Sequence, residues 1–305
     1  MSAQDVVHVT AHAPELPFAP PRRVRLLHTP RLSASLALAD QIARRLSEWR
    51  VEVSVGSVED DHDAGLWAGV DMAVALGGDG TMLRAGCLTA PHGVPVLGVN
   101  LGRLGFLAEV QPEEWPGVLA RVMVSDYWLE HRTMLRVALE RGGALLQTTD
   151  VLNEVFVGRG LTGKTVRIEA YIDGGLFLKY VADGVIVATA TGSTAYAMAA
   201  GGPILPPELR NILMVAVSPH MIIDRPVVMD EGTVVELRVA SEHHTILSAD
   251  GRDPIDLMAD DRVRVQVGPY VARFVRVQPR SYFYQTLLAR MVRNPAAELD
   301  TNPNR

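Results

Sequence analysis

The residues best suited to chemistry lie in Leu76-Gly77-Gly78-Asp79-Gly80-Thr81, between the apolar run Asp71 to Leu76 and the start of a helical pattern. Glycines at 77, 78 and 80 permit positive φ and close approach of backbone to a ligand, and the helix that follows offers unpaired N–H groups and a positive dipole end to phosphate. Asp79 is the odd member. A carboxylate in a phosphate loop repels the anion unless it holds a metal or takes a proton from the group being phosphorylated. A competing reading makes Asp79 the cap of a helix beginning near Thr81. Further polar groups stand where a β framework does not ask for them. Asn153-Glu154 interrupts the apolar run Val151 to Val157, two adjacent residues that a strand points to opposite faces. Asp183-Gly184 precedes the apolar Val185 to Thr189, and Thr191-Gly192-Ser193-Thr194-Ala195-Tyr196 gathers more hydroxyls at a helix start than capping needs. Ser218-Pro219-His220 follows a strand pattern, and Ala249-Asp250-Gly251-Arg252 reads as a polar turn.

The elements that must position these residues fall into two textures. Val24 to His28, Val51 to Val55, Asp71 to Leu76 and Val94 to Val99 read as buried strands, alternating with helical patterns. The first helix carries an apolar stripe at Leu32, Leu36, Ala39, Ile42, Ala43, Leu46 and Trp49, with Thr29-Pro30 as its N-cap and first turn. Alternation of this kind predicts a parallel sheet covered on both faces, with ligands at the carboxyl ends of its strands. Both the 77–81 loop and the loop from Asn100 to Leu107 fall at such ends. Glu59 to Asp63 reads as a solvated acidic loop. After a helical stretch near 113–124 the runs become short and rich in Val, Ile, Thr and aromatics, at 134–140, 144–157, 166–173, 176–181, 184–190, 212–217, 233–239, 244–249, 262–267 and 271–277. That pattern predicts mostly antiparallel β, with hairpin turns at Arg141-Gly142-Gly143 and Asp173-Gly174-Gly175 and one helical insertion at 194–200. A last amphipathic helix runs from Tyr282 to Val292, and residues 1–21 and 294–305 read as tails.

Composition narrows the class. The 305 residues are 48% hydrophobic and 21% charged, which suits a globular chain of two domains. A formal charge of −6 with no Lys/Arg block leaves no electrostatic footprint for nucleic acid or an anionic membrane. The single cysteine, Cys87, excludes an intrachain disulfide or a cysteine zinc site. With no apolar run near the ~20 residues of a membrane span and no signal-peptide pattern, the sequence reads as cytoplasmic. Many short strands with modest edge charge predict that edges in 127–278 pair with a second subunit, as a homodimer or homotetramer.

Together and in this order the segments resemble the bacterial and archaeal NAD kinases, which phosphorylate NAD on the 2′-hydroxyl of its adenosine ribose. The resemblance runs from about Val24 to about Leu288. The GGDGT loop alone is shared with diacylglycerol and sphingosine kinases and phosphofructokinases. Asn100-x-Gly102-x-Leu104-Gly105-Phe106-Leu107, Asn153-Glu154, and Thr191 to Tyr196 with Gly201-Gly202-Pro203 are more specific. The resemblance implies an α/β plus β fold: a Rossmann-like parallel-sheet domain (22–126), a β-rich sandwich-like NAD-binding domain (127–280) and a C-terminal helix (281–293) returning to the first domain. It implies Asp79 as proton acceptor, Gly80 and Phe106 against the dinucleotide, and Asn153 with Glu154 on the adenosine end. Ser193, Thr194, Ala195, Tyr196 and Ala199 would line the adenine and ribose pocket, with Asp183, His220 and Arg252 beside it. Arg84 and Lys164 would supply positive charge, and Gly77, Gly78, Gly80 and Thr81 would form the phosphate-donor loop. The implied donor is ATP or polyphosphate, with Mg²⁺ or another divalent cation bridging its oxygens and no metal held by protein ligands alone.

Some positions depart from the family pattern. Ala190 replaces a usual proline, Ala197, Met198 and Ala199 stand where serines are frequent, Arg252 replaces a neutral amide, and Asp224-Arg225-Pro226 replaces Ser-Arg-Pro. The choice between NAD and NADH is open on these grounds. Two other readings stand beside the leading one: a lipid kinase sharing GGDGT, and a non-catalytic NAD(P)-binding sensor on the same scaffold.

Overall fold

The structure, a computed structural model, describes residues 19–61, 63–102, 105–160, 164–220 and 225–292, with side chains to residue 287 in the last helix. Most of the 1–21 tail, the 294–305 tail, Leu104 and Asp224 lie outside the described residues.

The first part runs β1 (Arg23–His28), α1 (Ser33–Glu48), β2 (Glu52–Ser57), β3 (Met72–Gly77), α2 (Asp79–Thr89), β4 (Val96–Asn100) and α3 (Trp115–Met123). The second runs β5 (Trp128–Arg141), β6 (Ala144–Val151), β7 (Glu154–Arg159), β8 (Val166–Ile172), β9 (Gly175–Ala182), β10 (Gly184–Ala188), α4 (Tyr196–Ala199), β11 (Ile212–Val217), β12 (Val227–Met229), β13 (Val235–Val239), β14 (Thr245–Ala249), β15 (Ile255–Leu257), β16 (Arg262–Arg276) and α5 (Tyr282–Val292).

Strands β2, β1, β3 and β4 are parallel neighbours in that order. Continuous apolar runs such as Met72–Gly77, buried at every position, need cover on both faces. Helix α1 covers one face with Leu38, Ala39, Ile42 and Leu46. The stripe turns slightly from the expected one: Ser35 faces inward and Leu36 is 46% exposed. The helix also starts later than Thr29-Pro30 suggests, because Leu32 is its N-cap and the Ser35 hydroxyl closes the preceding turn onto the Thr29 carbonyl at 2.9 Å.

The two textures do not make separate sheets. β16 joins β4 in parallel at Phe274 and Val96, pairs antiparallel with β5 along nearly its whole length, and meets β13 at its other end. One ten-stranded sheet therefore runs β2-β1-β3-β4-β16-β13-β8-β9, with β5 and β6 branching from β16. The expected runs 262–267 and 271–277 are one strand, carried past Gly268-Pro269 by a bulge against β5. The expected run 144–157 is two strands: β6 stays in the first sheet, while β7 enters a six-stranded sheet of order β12-β11-β10-β7-β14-β15. The facing surfaces of the two sheets form the largest core, with Leu135, Val157, Ile168, Val187, Leu237 and Val265 among its members. Both hairpin turns form as expected, with positive φ at Gly142 and Gly143 and at Asp173 and Gly174.

The acidic loop differs from its expected form. Asp61 is buried and ion-paired with buried Arg25, Asp63 caps a short 3₁₀ turn at Ala64–Trp67, and Glu59 pairs with Arg31 and Arg84.

Phe274 joins the halves of the fold. It is fully buried, and Gly86 of α2 approaches its ring so closely that a Cβ there would lie 3.1 Å from it. Phe274→Ala is expected to destabilise the chain by about 3–5 kcal/mol, against roughly 0.5 kcal/mol or less for exposed Leu36→Ala, in paired urea-unfolding curves. Equal midpoints for the two variants would contradict the junction.

Candidate functional site

Asp79 is the first residue of α2, and Gly78, one residue earlier, is the N-cap. The cap reading of Asp79 therefore fails. Its carboxylate reaches across to the loop after β4, where Oδ2 accepts the Phe106 N–H at 2.7 Å and Oδ1 accepts the Leu107 N–H at 3.1 Å. Each oxygen keeps another lone-pair position for a further proton donor. Gly105 makes room for the carboxylate, since a Cβ at that position would collide with it. The Leu101 N–H also bonds the Gly77 carbonyl at 3.0 Å, so the two glycine-rich loops form one structure at adjacent strand ends.

The glycines act differently from the expectation of positive φ, which none of Gly77, Gly78 and Gly80 adopts. Gly77 is needed because Thr81 packs onto its α-carbon, while side-chain positions at Gly78 and Gly80 meet no protein atom within 4 Å. The bare start of α2 is thereby left open to close approach.

Asn153 and Glu154 sit at the switch from β6 to β7, where the chain leaves one sheet for the other, and not within a single strand as expected. Asp250 holds that switch. Its carboxylate accepts the N–H groups of Leu152, Asn153 and Glu154 at 2.8, 2.8 and 3.1 Å, and the Cys87 thiol donates to it at 3.5 Å. Asp250 takes the left-handed conformation, φ 51°, that lets a polar turn aim back at this backbone. From the other side the Thr189 hydroxyl donates to the Leu152 carbonyl at 2.6 Å, and Gly192 presses so closely on Asn153 that no Cβ fits.

The helix expected over 194–200 is shorter, Tyr196–Ala199. A 3₁₀ turn at Gly192–Thr194 breaks at Ala195 before α4 begins. The Ser193 hydroxyl donates to the Ala190 carbonyl at 2.6 Å and accepts the Leu205 N–H at 2.9 Å, and the Thr194 hydroxyl donates to the Thr191 carbonyl at 3.2 Å. Both are occupied in shaping the turn. By contrast, Glu154 Oε2 and Thr191 Oγ1 are buried polar atoms with no hydrogen-bond partner. Tyr196 is 43% exposed and its ring packs on Phe156 with centroids 5.6 Å apart.

The remaining expected residues are more dispersed. Arg84, on α2, pairs with Glu59 at 3.0 Å and lines a cleft of about 510 Å³ with Cys87, Asp150 and Arg252. Asp183 pairs with Arg159 at 2.9 Å, and the His220 N–H bonds the Val181 carbonyl nearby at 2.8 Å. Ala199 and Lys164 are exposed, and no described contact joins Lys164 to the other named residues. Asp250 and Gly105 were not read as site residues from the sequence; the Asp-Gly turn was visible, but its partners lie almost a hundred residues away.

Burial, and then the Asp250 charge, push the Glu154 carboxyl up to about 7 from an ordinary 4.5. Between those values the folded chain keeps a proton that the unfolded chain releases. The stabilisation present below pH 4.5 is thus lost as pH rises toward 7. The Tm of the wild type is expected to fall more steeply than that of Glu154→Gln across this window, measured by thermal unfolding in matched buffers. Parallel profiles would contradict the assignment.

Comparison with known proteins places this geometry. Residues 24–127 match the family model of the ATP-NAD kinase N-terminal domain and residues 152–277 that of the ATP-NAD kinase C-terminal domain. An NAD kinase from Chloroflexus aurantiacus is 41% identical over 273 residues, covering 89% of this chain and 99% of that protein. One from the archaeon Thermococcus sibiricus is 38% identical over 218 residues, covering 72% and 77%. Among solved structures, an NAD kinase from Archaeoglobus fulgidus in complex with ATP superposes with a TM-score of 0.69 at 25% identity, covering 88% of this chain and 98% of that one. Yeast NADH kinase complexed with NADH shares the fold, with a TM-score of 0.75 at 24% identity over 93% and 89%. The lipid-kinase alternative falls with these matches. Both halves match, the relative from Chloroflexus aurantiacus is matched along nearly its whole length, and the loops that grip Asp79 lie inside the matched segments: this chain belongs to the ATP-NAD kinase family.

Proposed function

We propose that Asp79 accepts the proton of the adenosine ribose 2′-hydroxyl of NAD while a phosphoryl group passes to that oxygen from ATP, or from polyphosphate. The observation that carries this reading is the grip on the Asp79 carboxylate by the Phe106 and Leu107 N–H groups. It fixes an acid at the open start of a helix, within reach of anything bound there. A ribose hydroxyl is a weak nucleophile, and phosphoryl transfer otherwise depends on positioning and charge neutralisation, so proton acceptance is the task a side chain can add.

In this reading Asn153, Glu154, Thr194, Ala195 and Tyr196 hold the adenosine end. Unpartnered Glu154 Oε2 and Thr191 Oγ1 and the half-exposed Tyr196 ring support that assignment. Glu154, with its raised carboxyl, can donate a hydrogen bond near neutral pH as well as accept one. Arg84 meets phosphate only by sharing its charge with Glu59.

A divalent cation such as Mg²⁺, bound with the donor, would offset the charge that develops on the phosphate oxygens. In this reading the donor phosphates would carry the metal, and Asp79 is the acid in the first turn of α2. A homodimer or homotetramer is supported by exposed Leu176 and Phe177 on edge strand β9. Among the described residues no helix is long and apolar enough to cross a membrane, and the lone Cys87 suits the reducing cytoplasm.

Asp79→Asn tests the central role. Asparagine keeps the shape but offers one acceptor oxygen where two are used, so a loss of about 1–3 kcal/mol in stability is expected from the released N–H. Single-turnover formation of NADP should fall by roughly 10²-fold to 10⁴-fold. NAD binding by calorimetry should stay within about threefold, because the adenosine contacts lie elsewhere. Near-normal turnover would end the proton-acceptor assignment.

A further inference from the structure

Beneath the Phe106–Leu107 segment lies a group of three buried charges. Glu130 and Arg132 are two apart on β5 and so share one face, and Arg276 ends the neighbouring strand β16. Their side chains are 8%, 3% and 5% exposed. Glu130 Oε1 accepts from Arg132 Nε and from Arg276 Nη2, the latter at 2.8 Å. Each arginine then turns a second N–H to the loop. Arg132 Nη2 donates to the Phe106 carbonyl at 3.3 Å and Arg276 Nη1 to the Leu107 carbonyl at 2.7 Å.

These carbonyls belong to the same two residues whose N–H groups hold Asp79. The Phe106 carbonyl and the Leu107 N–H lie in one planar peptide unit and point in opposite directions. Holding the first therefore aims the second, and a guanidinium on the oxygen polarises the N–H toward the carboxylate. The Arg276 bond fixes the next peptide plane. Both guanidinium groups lie over the Phe274 ring, at 5.3 and 5.2 Å from its centre, which anchors them to the core. Glu109 accepts the Val277 and Gln278 N–H groups at 2.7 and 3.2 Å and holds the chain just after Arg276. Burial alone would raise the Glu130 carboxyl, but the two arginine charges outweigh it and bring it to about 2, so it stays ionised. Buried ions rarely stabilise a fold better than apolar side chains of the same size, so three of them gathered under one loop call for a use other than stability.

We propose that Arg132, Arg276 and Glu130 are positioning residues for the proton acceptor: they clamp the carbonyl side of the 106–107 backbone so that its N–H side holds Asp79 in the orientation that takes the ribose proton. The proposal rests on the reading of Asp79 given above. Its test is a double-mutant cycle in single-turnover NADP formation, with Arg132→Met and Arg276→Met each made in the wild type and in Asp79→Asn. In the wild type each substitution is expected to slow turnover by roughly 10-fold to 100-fold with the KM for NAD changed less than about twofold. In Asp79→Asn the same substitutions should change the residual rate by less than about twofold, because nothing is left to aim. Arg132→Lys, which keeps the buried charge but loses the planar fork, goes through the same cycle, so the result does not depend on the variants that vacate most space. The same factor in both backgrounds, or a rise in KM with the rate intact, would overturn the inference while leaving Asp79 as the base. A near-normal rate for Asp79→Asn alone would overturn the base first and this inference with it.

Discussion

The structure depends on a carboxylate held by backbone. Asp79 leaves the end of β3 and is received by two N–H groups of the loop after β4, so the carboxyl ends of two neighbouring parallel strands are tied through one side chain. Much of the nearby sequence follows from that constraint. Gly105 has no side chain because the carboxylate occupies its place, Gly77 has none because Thr81 folds over it, and Gly78 and Gly80 leave the start of α2 bare. The backbone that does the holding is itself fixed through β5 and β16, the strands that carry the first sheet into the second half of the chain.

The second half of the site is built on a comparable device. Asp250 receives three consecutive N–H groups where β6 gives way to β7, much as Phe106 and Leu107 present two to Asp79. A break between two sheets exposes backbone groups that a continuous strand would pair, and the half-buried Asp250 carboxylate satisfies them. The same acid disfavours ionisation of Glu154 beside it. Backbone satisfaction at this break and part of its electrostatics thus come from one residue. Thr189 and Gly192 bring the Thr191–Tyr196 segment against the same break, so the two polar motifs of the second half meet there.

Legibility in the sequence followed the range of the interactions concerned. Strands β1 to β4 and helix α1 were readable because apolar period is local, and the αL hairpins at Gly142-Gly143 and Asp173-Gly174 because turn chemistry is local. The sheet switch at Asn153 was hidden by apolar residues on both sides, and the continuity of β16 by Gly268-Pro269, which a bulge absorbs because β5 continues alongside. Asp61 read as solvated because its partner Arg25 is 36 residues earlier. The motifs around Asp79, Asn153 and Thr191 were found from their residue types and order. What holds them was not, because Asp250, Arg132 and Arg276 act on backbone atoms distant in sequence and leave no local pattern.

The central claim is that the carboxylate so held is the group the ribose hydroxyl meets. The measurement that addresses it most directly is a crystal structure of the chain with NAD and a non-hydrolysable phosphoryl donor. The account predicts the ribose 2′-oxygen within about 3.2 Å of an Asp79 oxygen, with the Phe106 and Leu107 N–H bonds retained. A 2′-oxygen that instead faces Glu154 or solvent, with Asp79 still bound to its loop, would contradict it.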